Sequence, residues 1–213
     1  MEYTVIDKEN WARKEYFEHY INVVPCTYSM TTKIDITHIK QHKLKLYPAL
    51  LYCITKTVNR HEQFRTAFRA DGTLVLYQKL LPCFTVFHQS TKTFSNIWTE
   101  FCDDYAVFYR NYTEDIARFG SAQTMMAKPN PPENIFTVSM IPWVSFEGFN
   151  LMVQSFSYLL PIFTLGKYLR TGTQYLIPLA VQVHHAVCDG YHASCFIQDL
   201  QQEINQLCAP KLA

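Results

Sequence analysis

Residues 182–192 read Gln182-Val183-His184-His185-Ala186-Val187-Cys188-Asp189-Gly190-Tyr191-His192. Three imidazoles, a carboxylate and a thiol fall in one short stretch, and three chemistries compete for them. An imidazole titrates near neutrality, so it can take a proton from a hydroxyl or thiol as that group attacks an electrophile. His184, His185, Asp189 and His192 are also acceptable zinc ligands. Against that, neighbouring residues of a strand point to opposite faces, which works against His184 and His185 sharing one ion. The third reading is structural: histidines and an aspartate satisfied by backbone at a turn. Cys188 stands beside Asp189 and three residues after His185. A nucleophile and its base are normally assembled from distant segments, so a buried thiol is the simpler reading of Cys188. Spacing alone leaves base, metal and structure open.

The elements around this stretch must hold it. Residues 176–183 form an apolar strand that delivers it, and a helix follows Gly190 with Ala193, Phe196, Ile197, Leu200, Ile204 and Leu207 as its stripe. Three more helices are predicted. Asn10 caps one over 11–20. Pro48 suits the first turn of another over 47–60. A third, over 97–118, carries Phe101, Tyr105, Phe108, Tyr112, Ile116 and Phe119 at intervals of three and four. Strands are predicted over 28–36, 65–69, 73–77, 83–88, 135–141, 149–156 and 175–184, with Asp71-Gly72 as a hairpin turn. Helices and strands interleave irregularly, which predicts an α/β two-layer sandwich: a mixed β-sheet covered by helices rather than a doubly wound parallel sheet.

Composition removes several function classes. The chain has 213 residues and 48% hydrophobic content, enough for a sizeable core in one domain spanning 1–213. Its six glycines never approach a G-x-G-x-x-G, Walker or G-x-S-x-G spacing, so a glycine-built phosphate cradle and a nucleophile elbow are excluded. Net charge is +1 without a basic run, which argues against sequence-independent nucleic-acid binding. Seven cysteines, mostly in apolar surroundings and without C-x-x-C, predict free thiols rather than disulfides or structural zinc. With no signal-like apolar segment and no apolar run long enough to span a bilayer, a reducing, cytoplasmic location is expected.

His184-His185-Ala186-Val187-Cys188-Asp189-Gly190 has the form H-H-x-x-x-D-G. It resembles the signature of the coenzyme A-dependent acyltransferase superfamily, which dihydrolipoyl acyltransferases and peptide-synthetase condensation domains share. Within that superfamily the chain resembles the chloramphenicol acetyltransferase family over essentially its whole length. Trp11-Ala12-Arg13-Lys14-Glu15, Lys33-Ile34-Asp35-Ile36-Thr37, Tyr47-Pro48, Phe84-Thr85-Val86-Phe87-His88, Thr93-Phe94-Ser95 and Pro142-Trp143-Val144-Ser145-Phe146 match in the same order.

The resemblance implies a homotrimer with active sites between subunits, no tightly bound cofactor, acetyl-CoA as co-substrate and chloramphenicol as acceptor. A related acyltransferase with another hydroxyl or thiol acceptor is the alternative. His185 would be the general base, its ring held by a hydrogen bond to its own carbonyl, with His184 facing away. Asp189 would pair with Arg13 to organise the site. Ser139 would donate to the tetrahedral oxyanion, and Thr164 would hold a nearby water. Tyr20, Val24, Cys26, Tyr28, Phe94, Phe149, Leu151 and Val153 would line the antibiotic pocket. Coenzyme A would pass Trp143, with Lys45, Lys167 and Tyr168 near its phosphates and adenine. The chain departs from the family's common pattern at His19, Asn96 and Met126.

Overall fold

The computed structural model describes residues 1–151, 153 and 157–207. In chain order the elements are β1 (Tyr3–Val5), a 3-10 turn (Lys8–Asn10), α1 (Lys14–Glu18), a π-helical turn (His19–Val23), β2 (Thr27–Asp35), α2 (Thr37–Gln41), α3 (Leu46–Val58), α4 (Glu62–Arg65), β3 (Thr66–Phe68), β4 (Leu74–Tyr77), β5 (Leu81–His88), β6 (Thr93–Trp98), α5 (Tyr105–Phe119), β7 (Ile135–Met140), β8 (Ile162–Leu165), β9 (Leu169–Thr171), β10 (Gln174–His184) and α6 (Gly190–Gln206).

Among the described residues, β1, β4 and β3 form a small antiparallel sheet, turned at Asp71-Gly72. Gly72 has φ +84°, a backbone that side chains disfavour, and Asp71 Oδ1 accepts the Thr73 N–H at 2.9 Å. The larger sheet runs β2-β10-β8-β7-β5-β6, with β9 also on β10. Its β8–β7 and β7–β5 pairs are parallel and the others antiparallel, so the sheet is mixed, as expected from the irregular interleaving.

Paired residues share a face, and faces alternate along each strand. Val138, Phe163 and Val181 therefore lie on one face, and Thr137, Ser139, Thr164 and Ala180 on the other. The first face is covered by helices. Phe163 packs on Phe196 of α6 with ring centroids 5.2 Å apart, Phe196 stacks on Phe64 of α4 at 4.5 Å, and Phe84 of β5 meets Tyr112 of α5 at 5.1 Å. α3 is buried on nearly every side, as its apolar composition requires. No helix among the described residues is long and apolar enough to cross a membrane.

Three predicted elements differ. Residues 93–98 are a strand paired antiparallel to β5, with Trp98 opposite Cys83. The helix starts only at Tyr105, where Asp104 Oδ1 caps Ala106 N at 2.7 Å and Val107 N at 3.3 Å. The apolar stripe was genuine, but its first member, Phe101, is buried by a non-helical segment. Asn10 does not cap α1. Its amide donates to Asp7 Oδ2 at 2.7 Å, closing the preceding turn, and Arg13 occupies the cap position without a side-chain cap bond. The strand predicted over 149–156 is absent at Phe149, Asn150, Leu151 and Val153, and its residues 152 and 154–156 lie outside the described ones. Cys208 also lies outside them, while the other six cysteines are free.

Candidate active site

β10 ends at His184, and α6 begins at Gly190, so the motif occupies the turn between the central sheet and its covering helix. His184 is 1% exposed; its Nδ1 accepts the Ala186 N–H at 3.1 Å, and burial first, then His185, hold its pKa below the usual value. His185 turns away from it. Its N–H donates to the Cys26 carbonyl at 2.9 Å, and its ring stacks on Tyr20 with centroids 4.0 Å apart and planes 15° from parallel. Tyr28 meets the same ring edge-on at 5.4 Å. Tyr20 reaches this position from the π-helical turn, where the widened winding shifts side chains away from ordinary helical register.

Arg13 ties the turn together. Its Nη1 and Nη2 donate to Asp189 Oδ2 and Oδ1 at 2.8 and 2.6 Å, its Nε to Ala186 O at 2.7 Å, and Nη2 again to His185 O at 2.9 Å. A planar guanidinium can satisfy a carboxylate fork and two carbonyls at once, which an ammonium cannot. The hydrogen bonds from Arg13 hold the Asp189 carboxyl below the usual carboxylate range. Asp189 Oδ1 lies 3.2 Å from His185 Nδ1, yet that nitrogen is buried and makes no hydrogen bond. The ring-to-own-carbonyl bond implied by the resemblance is therefore not formed here; that carbonyl accepts from Arg13 instead. Cys188 is fully buried, and desolvation raises its thiol pKa to about 12, which suits a packed thiol and not a nucleophile. Among the described residues, no group of three or more His, Cys, Asp and Glu side chains is placed to hold a metal ion.

Ser139 and Thr164 belong to a second group. They face each other across β7 and β8, with hydroxyl oxygens 3.0 Å apart, on the sheet face opposite the helices. Ser139 lines a cavity of about 920 Å³, together with Phe87, Phe94, Asn96, Trp143 and Leu151. His185, Tyr20, Cys26 and Tyr28 are not among its lining residues. Asn96 and Met126 bridge each other in its wall, so two of the departures from the family pattern shape this cavity together. Phe149 N donates to Thr31 Oγ1 at 3.2 Å on β2, Val153 is half-buried, and Val24 is 50% exposed. The set that the resemblance implies for the antibiotic pocket is thus divided: Tyr20, Cys26 and Tyr28 beside His185, Phe94 and Leu151 beside Ser139.

Of the residues expected near coenzyme A, Trp143, Lys45 and Lys167 lie at the surface and Tyr168 is half-buried against the core. Trp143 is 56% exposed and meets Phe87 edge-on at 4.7 Å. Lys167 and Lys45 are exposed, Lys45 at the start of α3. Lys167 N donates to Val144 O at 2.8 Å. Gly166 before it is packed so closely that a Cβ would fall 2.7 Å from Phe146 and 2.6 Å from Pro178, which holds the segment following Trp143 against the sheet. Sequence reasoning missed Lys40, whose Nζ donates to Tyr168 Oη at 3.2 Å and sits 4.7 Å from that ring's centre. Nothing in the spacing of Lys40 and Tyr168 signals this contact.

The mixed sheet with one helical layer is a fold shared with solved acetyltransferases. A solved dihydrolipoamide acetyltransferase from Azotobacter vinelandii superposes with TM-score 0.67 at 16% identity, over 90% of this chain and 86% of that one. A solved chloramphenicol acetyltransferase superposes with TM-score 0.83 at 21% identity, over 95% of this chain and 100% of that one. The family model for chloramphenicol acetyltransferase matches residues 1–201. A relative of that name from Campylobacter coli is 57% identical over 97% of this chain and 100% of its own length. The chain belongs to the chloramphenicol acetyltransferase family.

Proposed function

We propose that the protein transfers the acetyl group of acetyl-CoA to the primary hydroxyl of chloramphenicol, inactivating the antibiotic. The observation that carries this reading is the Arg13 clamp on the His185–Asp189 turn in a chain of this family. His185 takes the hydroxyl proton as the oxygen attacks the thioester carbonyl. A tetrahedral oxyanion forms and accepts a hydrogen bond from the Ser139 hydroxyl, which keeps its proton, while Thr164 supports the Ser139 oxygen. The intermediate collapses, the C–S bond breaks, and the departing thiolate of coenzyme A recovers the proton from His185. Asp189 and Arg13 act by position: their ion pair fixes the backbone that presents the imidazole.

Both halves of the chemistry are needed at one site. In a single chain His185 and Ser139 stand in separate groups, and the Ser139 face exposes Phe94 at 49%, Trp143 at 56% and Leu151 at 43%. A second copy seated on this face brings a His185 to a Ser139 and covers the apolar surface. With the threefold assembly that the family resemblance implies, the reading is a homotrimer with sites between subunits, where Tyr20, Cys26 and Tyr28 of one copy and Phe94 and Leu151 of the next enclose the antibiotic. Val24, Phe149 and Val153 flank these walls. Acetyl-CoA approaches past Trp143, with Lys45, Lys167 and Tyr168 at its polar end.

The test mixes purified protein, acetyl-CoA and chloramphenicol and follows release of the free thiol. Turnover that persists in EDTA is expected, and its absence under conditions where a known acetyltransferase works defeats the proposal.

A further inference from the structure

His192 is used by neither half of the proposed chemistry, yet it is built into the clamp. It stands in the first turn of α6, and its Nδ1 accepts the Asp189 backbone N–H at 3.0 Å. A ring nitrogen that accepts a hydrogen bond carries no proton. Asp189 is consequently held at three points. Its N–H is fixed by His192, its carbonyl accepts from Ala193 N at 3.1 Å, and its carboxylate is forked by Arg13. Arg13 passes that constraint to the carbonyls of His185 and Ala186.

We infer that His192 is a positioning residue for the acyl transfer: its unprotonated Nδ1 fixes the Asp189 backbone and, through the Arg13 clamp, the backbone that presents the His185 ring. The surroundings keep this imidazole neutral. Burial first, and the Arg13 cation second, oppose its protonation. His61, from the turn before α4, adds to that opposition while its own ring pairs with Asp199 Oδ2 at 3.0 Å. The Asp189 carboxylate, 3.7 Å from Nδ1, favours a proton but is already engaged by Arg13. Asp7 and Glu62 are the carboxylates lining the same cleft of about 550 Å³ as His192. An imidazolium here would lose the Asp189 bond and face a guanidinium.

The inference rests on the proposed function and is tested with three variants of the full chain. His192→Ala removes the acceptor. His192→Asn places a carboxamide oxygen close to where Nδ1 lies, and His192→Gln moves it one bond further out. At neutral pH, His192→Ala is expected to lower kcat about 10-fold, the size of one lost part-buried hydrogen bond. Both KM values should stay within about twofold, since this ring lines a cleft apart from the Ser139 cavity and is in neither proposed substrate wall. Asn should recover most of the loss and Gln should not. Wild-type kcat in His192→Ala, a loss confined to KM, or equal rescue by Asn and Gln overturns the inference. If His192→Ala does not fold, the comparison of Asn with Gln decides alone. A wild-type chain without turnover overturns both readings, whereas wild-type turnover with an indifferent His192→Ala overturns this one only.

Discussion

The His185 region and the Ser139 region differ in how their polar groups are held. Around His185, Arg13 alone makes four hydrogen bonds, and every one spans more than 170 residues of sequence. Around Ser139, one hydroxyl, backed by the buried Thr164 hydroxyl, faces an apolar cavity walled by Phe87, Phe94 and Trp143. The first region is complete in a single chain as a rigid mount for one ring. The second is complete only as a surface, with its apolar side chains still in water. A base needs a fixed direction, which hydrogen bonds supply, and a large acceptor needs an enclosed volume, which the proposed second copy would supply.

Replacing His185 by Ala strikes the mounted group itself. The expected loss in kcat is about 10²–10⁴-fold, with the melting temperature nearly unchanged because the ring is partly exposed. A variant with near wild-type turnover would remove the base role. Ser139→Ala should cost about 10²–10³-fold in kcat by losing one oxyanion donor while leaving Thr164 in place. The relation between the two regions is then open to a direct test. Subunits carrying His185→Ala and subunits carrying Ser139→Ala, each inactive alone, are unfolded, mixed equally and refolded. If the two regions meet between copies, about one quarter of the sites join two intact halves and activity returns to that level. If they meet within one copy, no activity returns.

Arg13→Ala should do less to the chemistry and more to the fold. Removing it leaves the Asp189 carboxylate and two carbonyls without their donor. Because Asp189 is about one-third exposed, the expected destabilisation is about 1–3 kcal/mol, below that of a fully buried pair, with kcat reduced about 10-fold. Denaturant unfolding and steady-state kinetics on the same sample measure both. The smallest effect is on pH. His184 and His192 have folded pKa values below the ordinary 6.5. Below that pH the unfolded chain binds more protons than the folded one, so stability is full above 6.5 and declines as pH falls toward the folded values. Asp189 is depressed below 3.8, so its contribution is lost only in stronger acid. Melting temperatures should fall by a few degrees on moving from pH 7.5 to 5.5; a flat profile would show that the two histidines are not held neutral.

Much of this architecture was legible along the chain. The apolar run into His184, the glycine opening α6, the Asp71-Gly72 hairpin and the Leu46–Val58 helix all depend on neighbours a few residues apart. Where the reading failed, a competing contact had displaced the expected one. Asn10 gave its side chain to Asp7 rather than to α1, and residues 93–98 followed the edge of β5 rather than the stripe that begins beyond them. Lys40 on Tyr168 carries no spacing signal, because it depends on how two distant elements approach in space. His192 on the Asp189 amide is a local contact three residues apart, an imidazole standing where a capping box usually has Glu or Gln.

The sequence by itself determined which groups are available: an imidazole at the end of a central strand, a carboxylate four residues on, and no glycine cradle for phosphates. Its resemblance to one family named Arg13 and Ser139 as their companions. Only the tertiary structure decided that Arg13 holds the His185 turn, while Ser139 faces a separate cavity on the uncovered side of the sheet. The physical reason is the pleat. Register puts Val138 and Phe163 under the helices and turns Ser139 and Thr164 to the opposite face, and the alternation of two neighbouring residues fixes a direction in space only once the strands are paired.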